Sequence, residues 1–559
     1  MQKSKNIPFQ TIWFLPCAYR IKAMKKVTIK RIEAQVGVED AENLLLNQEK
    51  PKHLFESSFI TLKEGGFIVL DFGKELRGRL HICYVRNPEG KVRVRLGESL
   101  AETSSTLGEK GACNDHSLRD YVYPVIMLSD FSTTESGFRY ARIDAVSGGP
   151  VYIGKIYAEE ADNGLTVLSS FACSDKRLNA IYQTAARTID LCVGEDEIWD
   201  GIKRDRAVWL GDFYPEMVSA LSLYGPIPQI KHVLKMIEDF PDSYANHFPA
   251  YSAWWLLCLC AYYSYTGDRA FFLDNLSDID KTVSSFGAII GEDGEAHFER
   301  SPLSFYENQE YFIDWPTHET SDAKIGWHYL LTYALSTLEK TKEELGISAE
   351  QEKSIVARLD RFSYGPSSFK QVNALGVLSK RLDAKTGIDV IKKGGAKGLS
   401  TFTSFLCFEA LKENGEGKAA LEIMKEYYGA MLDLGATSFF EDFDMDWLKD
   451  DPLPIVSFEE KGKKHIHADY GKFCYKGFRH SLCHGWSSGF IPFFYEHILG
   501  IERMEPGYAA IRINPHLYCL SEASGRLMTP KGLIKVSHKS INGQIKSEIG
   551  LPKGVNLIK

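Results

Sequence analysis

Asp200, Arg204, Asp205, Trp209 and Asp212 fall within thirteen residues, interleaved with Lys203, Arg206 and Gly211 and preceded by Glu195, Asp196, Glu197 and Trp199. Carboxylates accept hydrogen bonds from hydroxyls and can work as acid or base, and arginines orient them. Tryptophan faces stack on C–H-rich ring surfaces. Together these residue types suit a sugar. The competing reading is structural: acids ahead of a helix favour its N-terminus, and Arg–Asp pairs tie loops down. Tryptophan and glycine mixed among the acids favour the sugar. Trp254-Trp255, at the start of an apolar helix, are candidates for the same pocket. Two other patterns are set aside. Gly485-Trp-Ser487-Ser-Gly489 matches G-x-S-x-G, yet it enters a helix and lacks the strand and the ordered Asp and His of a serine hydrolase. His465-Ile-His467 with Asp469 has no third metal ligand and reads as a solvated loop beside Lys461, Lys463 and Lys464.

The elements that must position these residues change along the chain. From 27 to 165 the texture is β: Lys91-Val-Arg-Val-Arg-Leu96 alternates strictly, placing Val92, Val94 and Leu96 on one face of a half-buried strand. Near 170 it becomes helical. Ser174 can cap a helix in which Leu178, Ile181, Tyr182, Ala185, Ile189 and Cys192 recur every three or four residues. Further helices are expected at about 210–224, 227–240, 252–266, 269–290, 321–344, 350–363, 397–413, 417–434 and 486–500. No fixed sequence period appears, which favours a closed helical toroid over a solenoid. Alternation returns after 501, as in Ile511-Arg-Ile513 and Leu533-Ile-Lys-Val536. The expected domains are a leader or tail at 1–26, a β-sandwich at 27–165, a helical domain at 166–500 and a small β domain at 501–559.

Composition narrows the classes. The 559 residues are 44% hydrophobic and 25% charged, which excludes disorder, collagen and coiled coil as descriptions of the whole. Net charge is −8; residues 1–26 carry six basic and no acidic side chains and residues 501–559 nine basic against four acidic, leaving 27–500 at −19. That argues against nucleic acid as a partner. No uninterrupted apolar stretch reaches membrane-spanning length, and no nucleotide-binding glycine pattern occurs, so neither membrane nor cofactor is expected. Eleven cysteines, an odd number without C-x-x-C, read as reduced thiols of a cytoplasmic protein. The apolar run Ile7–Leu15 is broken by Pro8 and Gln10 and lacks a small-residue cleavage site; were residues 1–23 a signal peptide, the protein would be periplasmic. A homodimer is compatible with all of this.

The pattern Asp200-x-x-x-Arg204-Asp205-Arg206-x-x-Trp209-x-Gly211-Asp212 resembles the signature of bacterial α-L-rhamnosidases, glycoside hydrolase family 78, which runs approximately D-x-P-x-R-(D)-E-R-x-x-W-x-G-D. Looser likenesses follow in order: Phe312-Ile-Asp314-Trp315 to a G-D-W segment, Gly435-Ala-Thr-Ser-Phe-Phe-Glu441 to G-A-T-T-x-W-E, Ser481-Leu-Cys-His484 to S-x-N-H, and Pro506-Gly-Tyr508 through Pro515 to the opening of a C-terminal sandwich. The resemblance spans roughly 65–545 and implies an all-α (α/α)6 barrel flanked by N-terminal and C-terminal β-sandwiches.

It also implies roles. Asp205 would be the general acid and Glu441 the base that activates water in an inverting displacement. Asp200, Asp212 and His484 would bind sugar hydroxyls, Arg204 would orient the carboxylates, and Trp209 and Trp315 would wall the sugar subsite, with Trp255 added as a candidate from its own position. Asp205 stands where the family usually has Glu, one methylene longer; Glu216, one turn beyond Asp212, is the alternative acid. An inverting pair requires carboxyl groups ~6.5–9.5 Å apart, against ~5–5.5 Å for a retaining pair. The competing functions are a barrel glycosidase for another sugar, such as L-fucose, and a carbohydrate-binding protein with lost or weak turnover.

Overall fold

A computed structural model of the chain describes residues 25–50, 58–86, 89–203 and 206–558. The first described region is a sheet domain of eight strands organised around the long strand Ile60–Arg86. That strand pairs antiparallel with Arg31–Glu39, Asp130–Ser132, Ser136–Ser147 and Val151–Glu160, shifting register between Asp71 and Leu76. The alternation at Lys91–Gly97 does what it predicts: Val92, Val94 and Leu96 are buried, and the strand lies between Asp120–Pro124 and Ser136–Ser147. Immediately after it, Ser99-Leu-Ala-Glu102 forms a capping pair for the short helix Leu100–Ser104. Ser99 Oγ accepts the Glu102 N–H at 3.2 Å, and Glu102 Oε2 accepts the Glu98 N–H at 2.8 Å.

The helical region opens with Lys176–Cys192, capped not by Ser174 but by Asp175, whose carboxylate accepts the Arg177 and Leu178 N–H groups. Contacts run in a closed circuit: Lys176–Cys192 packs on Phe213–Tyr224, then Pro249–Thr266, Ser321–Glu344, Lys370–Leu378, Ser404–Glu413 and Gly417–Asp433, which returns to Lys176–Cys192. Composition sorts the helices within this circuit. Pro249–Thr266 carries no charged residue and is buried nearly all round, whereas Lys176–Cys192 keeps a polar face. The all-round burial of Lys370–Leu378 also explains why apolar periodicity misses it. Thr386 and Gly387 depress the helical signal of Ala384–Lys392. The helix expected at 486–500 is instead broken around Pro492, into the turn Gly485–Ser488, the short Ile491–Phe493 and the wider turn Phe494–Ile498.

Two C-terminal sheets follow. Ile501–Arg503, Ala510–Ile513 and Asn556–Ile558 form one. The other joins Glu522–Thr529, Gly532–Ile541 and Gln544–Gly550 to Ser170–Cys173, a strand that precedes the helices in sequence. Among the described residues no helix is long and apolar enough to cross a membrane, and the cysteines are free thiols.

Trp255 is a correction to the expected site. It is fully buried in Pro249–Thr266, and its indole Nε1 donates to the Leu234 carbonyl at 2.9 Å, so it ties two helices together rather than facing sugar. Trp255→Phe removes that hydrogen bond between the two helices and part of the ring packing. It is expected to cost about 1–3 kcal/mol of stability in chemical denaturation while leaving substrate KM unchanged. A raised KM with unchanged stability would contradict this placement.

Candidate active site

The loop after Lys176–Cys192 closes on itself: the Asp200 N–H donates to the Ala207 carbonyl at 3.0 Å, and Asp200 Oδ1 accepts the Gly201 and Ala207 N–H groups at 2.7 and 3.1 Å. Arg204 and Asp205, between Lys203 and Arg206 in sequence, lie outside the described residues. Their neighbours are firmly held. Lys203 is buried beside Glu98 and Glu102 of the sheet domain, and Arg206 donates to the Ile202 carbonyl and pairs with Glu135 at 3.2 Å. Asp212 stands at the N-terminal end of Phe213–Tyr224 but does not cap it; its Oδ1 accepts the Tyr251 hydroxyl at 2.8 Å. Gly211 is required for that approach, because a Cβ there would meet the Tyr251 ring at 2.2 Å.

Glu441 arrives from far along the chain and is 2% exposed. Its Oε2 accepts the Ser481 N–H at 2.9 Å, and the Cys474 thiol donates to its Oε1 at 3.1 Å. The backbone beneath is pinned independently: its N–H donates to the Ser481 carbonyl, and its carbonyl accepts Thr401 Oγ1 and, at 3.0 Å, Trp486 Nε1. His484 follows, bridged to Gly201 and lying over the Trp486 ring with centroids 4.0 Å apart.

Six of the expected residues, Asp200, Trp209, Asp212, Trp315, Glu441 and His484, line one cavity of about 180 Å³. Phe248 and Tyr251 meet Trp209 edge-on within it, and Trp486 contributes from the side of Glu441. The cavity also takes residues the motifs do not mark: Cys474 and Tyr475 from a loop of the helical region and His116 from the sheet domain. Tyr251 likewise carries no motif; it lies one turn before Trp254 on a helix that lacks charge.

Electrostatics separates the acids. Burial above all, with the Glu441 charge adding to it against the Tyr251 hydrogen bond, pushes Asp212 up to about 7. Glu216, the alternative acid, does not line the cavity; it is buried against Gly485, and burial with the charges of Asp212 and Asp200 keeps its carboxyl well above the usual range. Because folding favours the acid form of Asp212, that stabilising term is full below its ordinary value of 3.8 and is lost as pH rises through about 7. Asp212→Asn keeps an acceptor for Tyr251 without the charge. Its melting temperature is expected to exceed that of the wild type by roughly a few degrees at about pH 8, with the margin shrinking towards about pH 5. A margin independent of pH would show that Asp212 does not titrate in this range.

The His465–His467 pair is not a solvated loop, as the lysines around it suggest. Both rings are buried: His465 Nε2 lies 3.1 Å from the Ser457 carbonyl, and His467 Nδ1 lies 2.8 Å from Ser99 Oγ. Ser487 of the G-x-S-x-G pattern is likewise buried and donates to the Phe440 carbonyl, within a turn rather than after a strand.

Residues 500–558 match the sequence model of the bacterial alpha-L-rhamnosidase C-terminal domain. Among curated protein sequences none matches the chain. Solved structures share its fold. The GH78 family rhamnosidase of Bacillus sp. GL1 superposes with a TM-score of 0.71 at 20% identity, covering 90% of this chain and 53% of that one. The alpha-L-rhamnosidase of Dictyoglumus thermophilum gives 0.69 at 20% identity, covering 89% and 58%. A rhamnosidase from Klebsiella oxytoca with rhamnose bound gives 0.66 at 18% identity, covering 85% of this chain and 96% of its own. The chain thus spans little more than half the length of the first two and nearly all of the third. It has the multidomain GH78 rhamnosidase fold, with an N-terminal sheet domain, a helical region and C-terminal sheets.

Proposed function

We propose that the chain is a glycoside hydrolase that removes terminal α-L-rhamnose with inversion at the anomeric carbon. The observation that carries this reading is convergence: Asp200 and Asp212, Trp315, Glu441 and His484 come from well-separated stretches and meet in one cavity with aromatic walls. Apolar and aromatic lining with a few placed polar groups is what a sugar site needs. The match over 500–558 and the rhamnose bound by the Klebsiella oxytoca neighbour favour L-rhamnose over L-fucose.

In this reading Glu441 removes a proton from the attacking water, and Asp205 gives one to the departing glycosidic oxygen. Asp200, Asp212 and His484 hold hydroxyls, Arg204 orients the carboxylates, and Trp209 and Trp315 wall the ring. The helical region, 166–500, is an (α/α)6 barrel; the closed circuit of helix contacts and the charge-free helix within it support this. The sheets at 27–165 and 501–559 are its flanking β-sandwiches, and the protein works in the cytoplasm.

A panel of p-nitrophenyl glycosides tests the function. The α-L-rhamnoside is expected to be cleaved in preference to the α-L-fucoside, with NMR showing β-L-rhamnose as the first product. Retention of the anomer would refute the inverting pair. Measurable sugar binding without cleavage of any glycoside would favour a binding protein, the reading that the shorter Asp205 motivates.

A further inference from the structure

Behind the cavity, where the sheet domain meets the helical region, lies a fully buried polar cluster of Glu98, Glu102, Lys203, His467 and Ser481. Ligand atoms of Glu98, Glu102 and His467 lie within 4.8 Å of one another, a spacing a cation could use. The chain supplies that cation itself. Lys203 Nζ stands 3.0 Å from Glu98 Oε2, 3.4 Å from Glu102 Oε1 and 3.5 Å from His467 Nε2, and it donates to the Phe478 and His480 carbonyls at 2.8 Å each. Lys203 thus stands at the centre of the cluster, between the two glutamates and His467.

Glu98 does more than pair with Lys203. Its Oε2 accepts the Leu482 N–H at 2.7 Å and its Oε1 accepts Ser481 Oγ at 3.1 Å. Ser481 is the residue whose N–H holds Glu441 Oε2 and whose carbonyl accepts the Glu441 N–H. One carboxylate of the sheet domain is therefore bonded to the peptide that grips Glu441. The same carboxylate pairs directly with Lys203.

We propose that Glu98 is a positioning residue for the proposed base Glu441, acting through Ser481 and Leu482. The role assigned to Glu441 rests on the proposed function; the connection itself rests on the hydrogen bonds. The sheet domain is then part of the reacting geometry and not only a neighbour. A displacement of a catalytic group by a fraction of its hydrogen-bond length is costly in rate while leaving sugar contacts intact.

The test uses the full chain. Glu98→Gln removes the charge and one acceptor; Ser481→Ala removes a single contact and is the milder variant should Glu98→Gln fold poorly. Each is expected to lower kcat on the p-nitrophenyl rhamnoside by ~10- to 100-fold with KM within about twofold of the wild type. In a Glu441→Gln background the same changes are expected to add nothing, since they act through that residue. An unchanged kcat, a parallel rise in KM, or an undiminished effect in the Glu441→Gln background would overturn the proposal. Crystal structures of the two variants give a readout independent of turnover: the Glu441 carboxylate is expected to leave the Ser481 N–H, and an unmoved carboxylate overturns the connection whatever the activity. A wild type that cleaves no glycoside while the variant carboxylate still moves would instead overturn the proposed function alone.

Discussion

Glu441→Ala is expected to lower the cleavage rate of the α-L-rhamnoside by about 10²–10⁴-fold, the usual contribution of a positioned base, while the protein remains folded. The second half of that statement follows from how the residue is held. The Glu441 backbone is bonded to Ser481, Thr401 and Trp486 through its N–H and carbonyl, none of which needs the carboxylate. Truncation removes the acceptor of the Ser481 N–H and the Cys474 thiol and leaves the chain path alone. The loss should therefore be in kcat, equivalent to about 3–5 kcal/mol of transition-state stabilisation, with KM little changed. Added azide, which needs no base, should restore turnover and yield the rhamnosyl azide of inverted configuration. Failure of azide rescue together with a collapse of sugar binding would make Glu441 a binding residue instead.

The second large effect concerns Asp205 and depends on the leaving group. Protonation matters little for p-nitrophenolate, which departs readily as an anion, and matters greatly for an alkyl or sugar alkoxide. Asp205→Ala is expected to cost about 10²–10⁴-fold on a rhamnosyl disaccharide and much less on the p-nitrophenyl substrate. Equal losses on both substrates would remove Asp205 from the role of acid. Asp205→Glu addresses the missing methylene: increased disaccharide cleavage would mean that the aspartate reaches the leaving oxygen at a disadvantage, whereas a decrease would mean that the loop is set for the shorter side chain. Glu216 offers no substitute, because it is buried against Gly485 and does not line the cavity.

The order of β, α and β regions was readable because each period reports a local rule: alternation exposes one face of a strand, and three- or four-residue spacing exposes one stripe of a helix. Lys91–Gly97 and Ser321–Glu344 show the rule working. It fails where burial surrounds an element, since a helix with no polar face has no stripe to detect; Lys370–Leu378 is the example. The same blindness explains Trp255. Two adjacent tryptophans in a charge-free helix point in directions about 100° apart. Apolar neighbours on every side give no sign that Trp255 turns to Leu234 of another helix while Trp254 packs on Tyr214 and Phe405, and that neither lines the cavity.

The chain's own chemistry determined the cluster Asp200, Trp209 and Asp212, because these residues share one short loop and helix start and cannot be far apart. It also named Trp315, Glu441 and His484 through their resemblance to a family pattern. That these should meet Tyr251, Cys474, Tyr475 and His116 was decided only by tertiary structure. Each is a single residue on an ordinary helix or loop, without a pattern around it. The same holds for Lys203 between Glu98 and Glu102, whose partners lie about a hundred positions away. Local periodicity carries no information about contacts at that separation; closure of the helix circuit and its docking on the sheet domain bring them within hydrogen-bonding reach.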